Sequence, residues 1–420
     1  MLLVLSAPCA GLTLVLFRSR SRHTYGFESA AANEFELPHF ELGALLDQRL
    51  RLRRVDGGDG SLCWADGVSA ADLRAAATRA VLVHAVYHIV GSAASIGIAF
   101  AEAVACADRC FLAASAEVID LSGSPNLRSG VRDELLAECG PRLLQATAEQ
   151  AAAEPWVLLA RGAGGAAHVG WRTAAGLAGG AGAPALGSSG RRPRRGLLGA
   201  YALKGRARSV GGRSAAMEPE LAFLMASLAR VQPGSVVLDP CCGSGGLLLC
   251  AAALGATATH GLDTCAAPFA GVAAEFASRG LTPPTLAVGD LLARRPEEIA
   301  PCTISAIICD PPYGMRAAAH LGEDRAAARA GAAHVDRLFA SALLRLGSRG
   351  LVAGGRLVFF LPVRGAPAAD EPIGAVLDAL LPGGLAAGGL DLVGGRLQRF
   401  SPTFARWLCC VERAGGRRSN

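Results

Sequence analysis

The hydrophobic pattern of this chain changes near its middle. From residue 235 onward, short apolar runs alternate with stretches of helical periodicity. The runs predict strands at 235–238, 259–262, 285–288, 304–309, 355–361 and 405–411, and the intervening stretches predict helices at 246–254, 269–278 and 335–346. Repeated strand–helix units predict an α/β fold with a doubly wound, parallel sheet that binds its ligands at the carboxyl ends of the strands.

The first half of the chain has a different pattern, which favours an α+β arrangement. Strand candidates occur at 12–17, 110–114 and 156–160, and helix candidates at 70–90 and 131–153. A stretch rich in Gly, Ala, Pro and Ser separates the two halves and also holds an arginine cluster, Arg191 to Arg195. The pattern predicts an N-terminal α+β region over 1–175, a linker over 176–199 and a second domain over 200–415.

Composition permits a polyanionic partner without requiring one. The formal charge of +6 at pH 7 is mild, and 51% of the residues are hydrophobic, so two cores are easily built. Lys204 is the single lysine among 41 basic residues, which indicates codon bias and makes arginine abundance weak evidence for phosphate binding. The 13 cysteines show neither disulfide-framework nor zinc-ligand spacing, so we expect no metal site.

Two apolar stretches could suggest a membrane or an export signal. The first 17 residues lack a basic start, and arginines follow where a small-residue cleavage site would lie. The stretch 81–101 is interrupted by His84, His88 and Ser92. We therefore expect no spanning segment and a cytoplasmic location.

A glycine-rich turn follows the first strand of the second domain. The sequence Asp239-Pro240-Cys241-Cys242-Gly243-Ser244-Gly245 would let the backbone approach a ligand closely, because Gly243 and Gly245 carry no Cβ. The acid Asp239 could hold the ammonium group of an amino-acid cofactor. Asp263, at the end of the next strand, could bind ribose hydroxyls, and Asp290, after the third, could accept a hydrogen bond from an adenine amine.

The strongest chemical signal is Asp310-Pro311-Pro312-Tyr313 at the end of an apolar strand. An exocyclic amine on an aromatic ring is a poor nucleophile, because its lone pair is delocalised into the ring. The Asp310 carboxylate and the Pro311 carbonyl could accept both N–H bonds while Tyr313 stacks on the base. Pro311 and Pro312 would stiffen the loop. We assign these four residues to catalysis.

The two motifs together resemble those of class I amino-methyltransferases, which use S-adenosyl-L-methionine. Within that group the likeness is to the catalytic subunit of tRNA (guanine-10-N2) methyltransferase. It rests on Leu203-Lys204-Gly205-Arg206, on 217–226, on 310–316, on 354–359 and on 398–408, and extends upstream to 35–46 and 77–83. The resemblance implies a Rossmann-like, seven-stranded doubly wound sheet that transfers a methyl group to the N2 amine of guanosine 10 in tRNA.

The same resemblance implies roles for other parts of the molecule and for a partner protein. The N-terminal region would comprise a ferredoxin-like piece and a THUMP domain that grips tRNA. Lys204, Arg206 and Arg316 are candidate substrate contacts. In eukaryotic relatives the catalytic subunit works with a small zinc-binding activator protein that covers apolar surface near the cofactor site, whereas archaeal relatives act alone.

Other functions share this chemistry. A DNA adenine-N6 methyltransferase would use the same pocket, as would an enzyme that methylates protein glutamine, and a non-catalytic RNA-binding scaffold could retain the motifs. The sequence leaves open whether the product is mono- or dimethylated.

Overall fold

The computed structural model describes residues 12–17, 36–47, 49–55, 62–106, 116–120, 131–140, 156–160, 166–177, 201, 217–299, 304–313, 325–364, 372–401 and 403–415. The described residues fall into two compact units. We call residues 12–177 the N-terminal unit and residues 201–415 the C-terminal unit. Of the predicted linker, only 176 and 177 lie within the described residues.

The N-terminal unit is an α+β structure built on one mixed sheet. Its strands are β1 (Leu12–Phe17), β2 (Arg51–Arg54), β3 (Leu62–Asp66), β4 (Val83–Ala93), β5 (Ala116–Asp120), β6 (Trp156–Ala160) and β7 (Ala167–Ala175). Its helices are α1 (Glu36–Leu45), α2 (Ala70–Ala77), α3 (Ile96–Cys106) and α4 (Val131–Ala137). The strand order is β2-β3-β1-β4-β7-β6-β5, and β5 runs parallel to β6 while the other pairs are antiparallel.

The predictions for this unit are confirmed in part. The strands at 12–17 and 156–160 are present, but the helix predicted over 70–90 ends at Ala77 and gives way to β4. That strand is buried on both faces, with Val86 in one apolar cluster and Tyr87 in another, so the sequence run reads equally as helix or strand. The helix from Val131 ends at Ala137, and the strand candidate 110–114 lies outside the described residues.

The membrane candidate at 81–101 is divided between β4 and the start of α3. Among the residues that the structure describes, no helix combines the length and the apolar character that a membrane crossing requires.

The C-terminal unit is the predicted doubly wound, seven-stranded sheet. Its strands are β8 (Val236–Asp239), β9 (Ala258–Asp263), β10 (Thr285–Val288), β11 (Ile304–Cys309), β12 (Leu351–Arg364), β13 (Leu390–Ser401) and β14 (Phe404–Arg413). Its helices are α5 (Pro219–Leu228), α6 (Gly246–Ala253), α7 (Val272–Ala277), α8 (Pro296–Ile299), α9 (Arg325–Gly350), α10 (Ile373–Asp378) and α11 (Gly384–Ala387).

The strand order is β10-β9-β8-β11-β12-β14-β13. Strands β8 to β12 are parallel, and β14 is antiparallel to both β12 and β13. The predicted parallel sheet is confirmed for β8 to β12, and β14, whose Phe404 pairs with Ser401 of β13, is the antiparallel strand. The predicted class I methyltransferase topology is confirmed.

The sheet register brings the predicted acidic residues to one edge. Leu238 of β8 pairs with Ile307 of β11, and Asp239 pairs with Gly261 of β9. Strand β11 is held in the core by burial on both faces, with Ile304 and Ile307 fully buried against the leucines of α9. Burying each such side chain contributes about 1.5–3 kcal/mol, so the strand that carries Asp310 is firmly placed.

Candidate active site

The glycine turn joins β8 to α6 with backbone angles that favour glycine. Gly243 and Gly245 have φ of +50° and +78°, and Gly245 caps the helix that begins at Gly246. A Cβ on Gly245 would also lie 3.3 Å from Cγ1 of Val272. The turn therefore presents the free N–H groups of the α6 amino end to a ligand.

Asp239 ends β8 beneath this turn and is only 1% exposed. Its Oδ1 accepts a hydrogen bond from the backbone N–H of Cys241 over 3.1 Å. Burial raises the pKa of Asp239 well above its usual range, and the charges of Asp310 and Asp263 raise it further. A cationic group beside this carboxylate would offset that cost, which fits an ammonium ligand.

Asp263 is fixed by the same turn. Its Oδ2 accepts the N–H of Gly243 over 2.9 Å, and its Oδ1 accepts the N–H of Cys265 over 3.1 Å. The carbonyl of Asp263 accepts the N–H of Gly289 over 2.9 Å, next to Asp290. The Oδ1 of Asp290 accepts the N–H of Leu292 over 2.8 Å, so this exposed carboxylate is also held in place.

Asp310, Pro311, Pro312 and Tyr313 follow β11 directly. The Tyr313 hydroxyl donates to Oδ1 of Asp310 over 2.7 Å. Burial raises the pKa of Asp310, while the Arg406 charge and the Tyr313 hydrogen bond lower it. Burial and the Asp310 charge raise the pKa of Tyr313, so the phenol remains a hydrogen-bond donor.

Two acceptor positions remain available to a substrate amine. The hydrogen bonds that described residues donate to Asp310 both end on Oδ1, which leaves Oδ2 open. No backbone N–H among the described residues donates to the Pro311 carbonyl. Pro311 is buried and Pro312 exposed, so the two prolines line the loop on different sides.

Sequence reasoning missed an aromatic group beside this loop. Tyr313, Phe400 and Phe404, which we call the aromatic platform, contact one another: the Tyr313 and Phe404 centroids are 5.8 Å apart, and the Phe400 and Phe404 rings stack at 5.5 Å. Phe400 is 53% exposed. Both phenylalanines fall inside the segment 398–408 that carried the resemblance, but nothing local in the sequence indicated a contact with Tyr313.

Arg406 was also missed. It is 7% exposed, lies on β14, and approaches Oδ1 of Asp310 to 3.2 Å through Nη1. A basic residue so near the proposed catalytic carboxylate neutralises part of the charge gathered at this edge of the sheet.

Structure places seven of the predicted residues at the carboxyl edge of the sheet: Asp239, Gly243, Gly245, Asp263, Asp290, Asp310 and Tyr313. Pro311 and Pro312 accompany them. The candidate substrate contacts Lys204, Arg206 and Arg316 lie outside the described residues.

A known family model matches the segment that forms part of this edge of the sheet. Residues 206–281 match the model described as UPF0020, the RMKL-like methyltransferase domain. The matched range contains Asp239, the glycine turn and Asp263.

Curated relatives carry a more specific name. The chain is 32% identical over 195 residues to the tRNA (guanine(10)-N(2))-methyltransferase TRMT11 of Xenopus laevis, covering 40% of each protein. It is 36% identical over 106 residues to a tRNA (guanine(10)-N2)-dimethyltransferase of Methanocaldococcus jannaschii, covering 24% of this chain and 30% of that protein. The match thus spans about two fifths of the length of the vertebrate relative. The resemblance expected from the sequence is confirmed.

Among solved structures, TrmN from Thermus thermophilus is one to which this chain is similar. That chain is 18% identical, with a TM-score of 0.41, over 96% of this chain and 99% of the other.

Proposed function

We propose that this chain is an S-adenosyl-L-methionine-dependent methyltransferase that acts on the exocyclic N2 amine of guanosine 10 in tRNA. The observation that carries the proposal is the half-buried Asp310 carboxylate, whose Oδ1 is bonded to Tyr313, while among the described residues no hydrogen bond reaches its Oδ2 and no backbone N–H donates to the Pro311 carbonyl. The relatives named above support the choice of tRNA and of guanosine.

The residues around the glycine turn fit the proposed cofactor. The buried Asp239 would bind its ammonium group, the amino end of α6 its carboxylate, and Asp263 its ribose hydroxyls. Asp290 would accept a hydrogen bond from its adenine amine. When bound, the cofactor would supply an electrophilic methyl group.

The chain's own residues would activate the amine. Asp310 Oδ2 and the Pro311 carbonyl accept its two N–H bonds, which draws the lone pair out of the ring and towards the methyl carbon. Because the nitrogen would gain an N–C bond at the expense of the cofactor's S–C bond, it would have to lose one proton, which Asp310 or water would accept. Pro312 holds the loop between Asp310 and Tyr313 in shape.

The aromatic platform would receive the target base. A guanine must leave its stack to reach a pocket at the sheet edge, and unstacking costs a few kcal/mol. Base–aromatic stacking is worth about 1–3 kcal/mol per base, so the rings of Tyr313 and Phe404 would offset much of that cost.

We propose that residues 1–175 form the RNA-binding region, with ferredoxin-like and THUMP parts, that 176–199 is a linker, and that 200–415 is the catalytic domain. Support comes from what we call the arginine edge: the exposed Arg49, Arg51, Arg53 and Arg54, three of them on β2. Strand β2 lies at the end of its sheet, with Arg53 paired to Asp66 over 2.9 Å. Such a row of cations is suited to a phosphate backbone.

Lys204, Arg206 and Arg316 remain proposed RNA contacts. We place the enzyme in the cytoplasm.

An activator subunit is a further part of the proposal. Strand β10 lies at the edge of the catalytic sheet, and Val288 and Leu292 on either side of Asp290 are 51% and 42% exposed. An apolar surface beside the proposed adenine site is where a small zinc-binding partner would bind.

Replacing Asp310 distinguishes this proposal from its alternatives. An Asp310→Ala enzyme should lose turnover and keep its affinity for tRNA, as measured by filter binding. A non-catalytic scaffold would show no turnover even as the wild type, and Asp310→Ala would leave its tRNA affinity unchanged. A DNA adenine-N6 or protein glutamine methyltransferase would lose turnover on its own substrate, so unmodified tRNA, DNA and protein are offered in parallel. Asp391→Ala, at an exposed site on β13, is the matched control.

A further inference from the structure

The Arg406 side chain is held from two sides before it reaches the active site. Its Nε donates to Oε1 of Gln398 over 2.6 Å, and its guanidinium carbon lies 3.6 Å from the centroid of the Phe360 ring. Gln398 is 2% exposed and Phe360 fully buried, so both anchors belong to the core of the sheet. Such a buried cation–π contact fixes the plane of the guanidinium.

The strand register explains how these anchors are arranged. Arg406 lies on β14 and pairs with Gln398 of β13 on one side and with Pro362 of β12 on the other. The Arg406 side chain therefore extends from the middle strand of three that are hydrogen-bonded side by side. A side chain with so little freedom can orient its neighbours instead of following them.

At its far end Arg406 meets the proposed catalytic loop. Its Nη1 lies 3.2 Å from Oδ1 of Asp310 and also donates to the Tyr313 hydroxyl, which itself donates to the same Oδ1. Two donors, themselves hydrogen-bonded to each other, thus meet at one carboxylate oxygen. These two bonds restrict the rotation of the Asp310 carboxylate, and no hydrogen bond donated by the described residues ends on Oδ2.

We propose that Arg406 is a positioning residue that keeps the Asp310 carboxylate ionised and oriented, with Oδ2 directed at the substrate amine. The inference rests on the proposed function, because it assumes that Asp310 accepts an N–H bond. It assigns Arg406 no contact with the substrate.

The charge balance of the site supports this role. Asp310 lies near Asp239, which is also buried, and like charges disfavour ionisation. Burial raises the pKa of Asp310 and Arg406 lowers it. A protonated Asp310 would offer a donor where the amine also presents donors. Loss of the Arg406 charge would raise the pKa of Asp310, so activity should be lost first at low pH.

The test uses Arg406→Gln and Arg406→Lys in the full-length protein. With Arg406→Gln we expect kcat to fall at least about tenfold at neutral pH and the acid limb of the pH–rate profile to move up by about one pH unit. KM for tRNA should change less than kcat. Arg406→Lys restores the charge but not the bond to Gln398, so its acid limb should return towards the wild-type position while kcat remains reduced.

A second readout does not depend on turnover. The carboxyl ¹³C resonance of Asp310, assigned by its loss in Asp310→Asn, reports the ionisation of that group directly. It should titrate at higher pH in Arg406→Gln than in the wild type. Binding of S-adenosyl-L-methionine and the melting temperature, measured alongside, identify a variant that has failed to fold. Arg349→Gln, an arginine whose side chain is 65% exposed and paired with Glu297, is the matched control.

Either variant can overturn the proposal. If Asp310 titrates at the same pH in the wild type and in a folded Arg406→Gln, or if the acid limb does not move, Arg406 has only a structural role. If Arg406→Gln does not fold, Arg406→Lys decides, because an Asp310 titration and kcat equal to those of the wild type would contradict the need for a fixed guanidinium. Failure of the wild type to methylate tRNA would instead contradict the proposed function, and the ¹³C titration would still decide the role of Arg406.

Discussion

The rings of Tyr313 and Phe404 meet at an interplanar angle of 61°, with centroids 5.8 Å apart, although 90 residues separate them in the chain. One ring follows β11 and the other begins β14, on the far side of β12. The contact joins the loop that would activate the amine to a hairpin that sequence reasoning had not connected with it. It brings the Phe404 ring beside the loop that carries Asp310.

Removing the Phe404 ring should weaken the use of RNA without affecting the cofactor. We expect Phe404→Ala to lower kcat/KM for tRNA about tenfold to a hundredfold, since a base–aromatic stack is worth about 1–3 kcal/mol. Phe404→Trp should recover most of the loss. Calorimetry should give an unchanged Kd for S-adenosyl-L-methionine. Leu392→Ala, which truncates an exposed apolar side chain of β13, is the control. Equal kinetics for Phe404→Ala and Leu392→Ala would contradict the role of the platform.

The buried Asp239 carboxylate should reduce the stability of the cofactor-free protein in a pH-dependent way. Its pKa is raised in the folded state, mainly by burial, so the favourable contribution is present below the unfolded pKa and is lost as pH rises. Asp239→Asn keeps an acceptor for the Cys241 N–H but carries no charge. The melting temperature of Asp239→Asn should therefore exceed that of the wild type by a margin that opens as pH rises above about 4.

Adding the cofactor should give the wild type a higher melting temperature than Asp239→Asn. S-adenosyl-L-methionine should raise the melting temperature of the wild type, because its ammonium group would compensate Asp239, and should leave Asp239→Asn nearly unchanged. Asp391→Asn serves as the exposed control. A difference in melting temperature that is independent of pH, or equal stabilisation of both proteins by the cofactor, would be inconsistent with the assignment of Asp239.

The arginine edge should contribute to RNA affinity through salt-dependent contacts. Replacing Arg51, Arg53 and Arg54 with Gln should weaken tRNA binding and reduce the slope of log Kd against log salt by about one to two, since each phosphate contact contributes about 0.7–0.9. A triple Gln variant of Arg295, Arg345 and Arg349, which are exposed on the C-terminal unit, removes the same charge elsewhere. Slopes that match between the two triple variants would refute a specific role for β2.

Local signals in the sequence sufficed for the catalytic sheet. The strand 304–309 was predicted with its observed bounds, because an unbroken apolar run followed by two prolines has few alternatives. The glycine turn was equally clear, since positive φ at Gly243 and Gly245 is a backbone requirement visible in the residue type. Asp239, Asp263 and Asp290 could be placed together because parallel strands end at the same edge.

Features that depend on distant pairing were not predictable. Strand β4 was mistaken for helix because apolar side chains on both of its faces are buried, Val86 in one cluster and Tyr87 in another, which removes the alternation of a half-exposed strand. Strand β13 was missed, and its Gly394 and Gly395 weaken any strand pattern. Arg406 reaches Asp310 across 96 residues, and no local spacing encodes such a contact.

Methyl transfer from labelled S-adenosyl-L-methionine to unmodified tRNA, followed by nucleoside and position analysis, tests the central claim most directly. It should be run with the wild type and with Asp310→Ala, each with and without a co-expressed zinc-binding activator. We predict N2-methylguanosine or N2,N2-dimethylguanosine at position 10 with the wild type and none with Asp310→Ala. Two results would contradict the claim. One is label in DNA or protein but not in tRNA, and the other is no label in any substrate when the wild type is assayed with and without the activator.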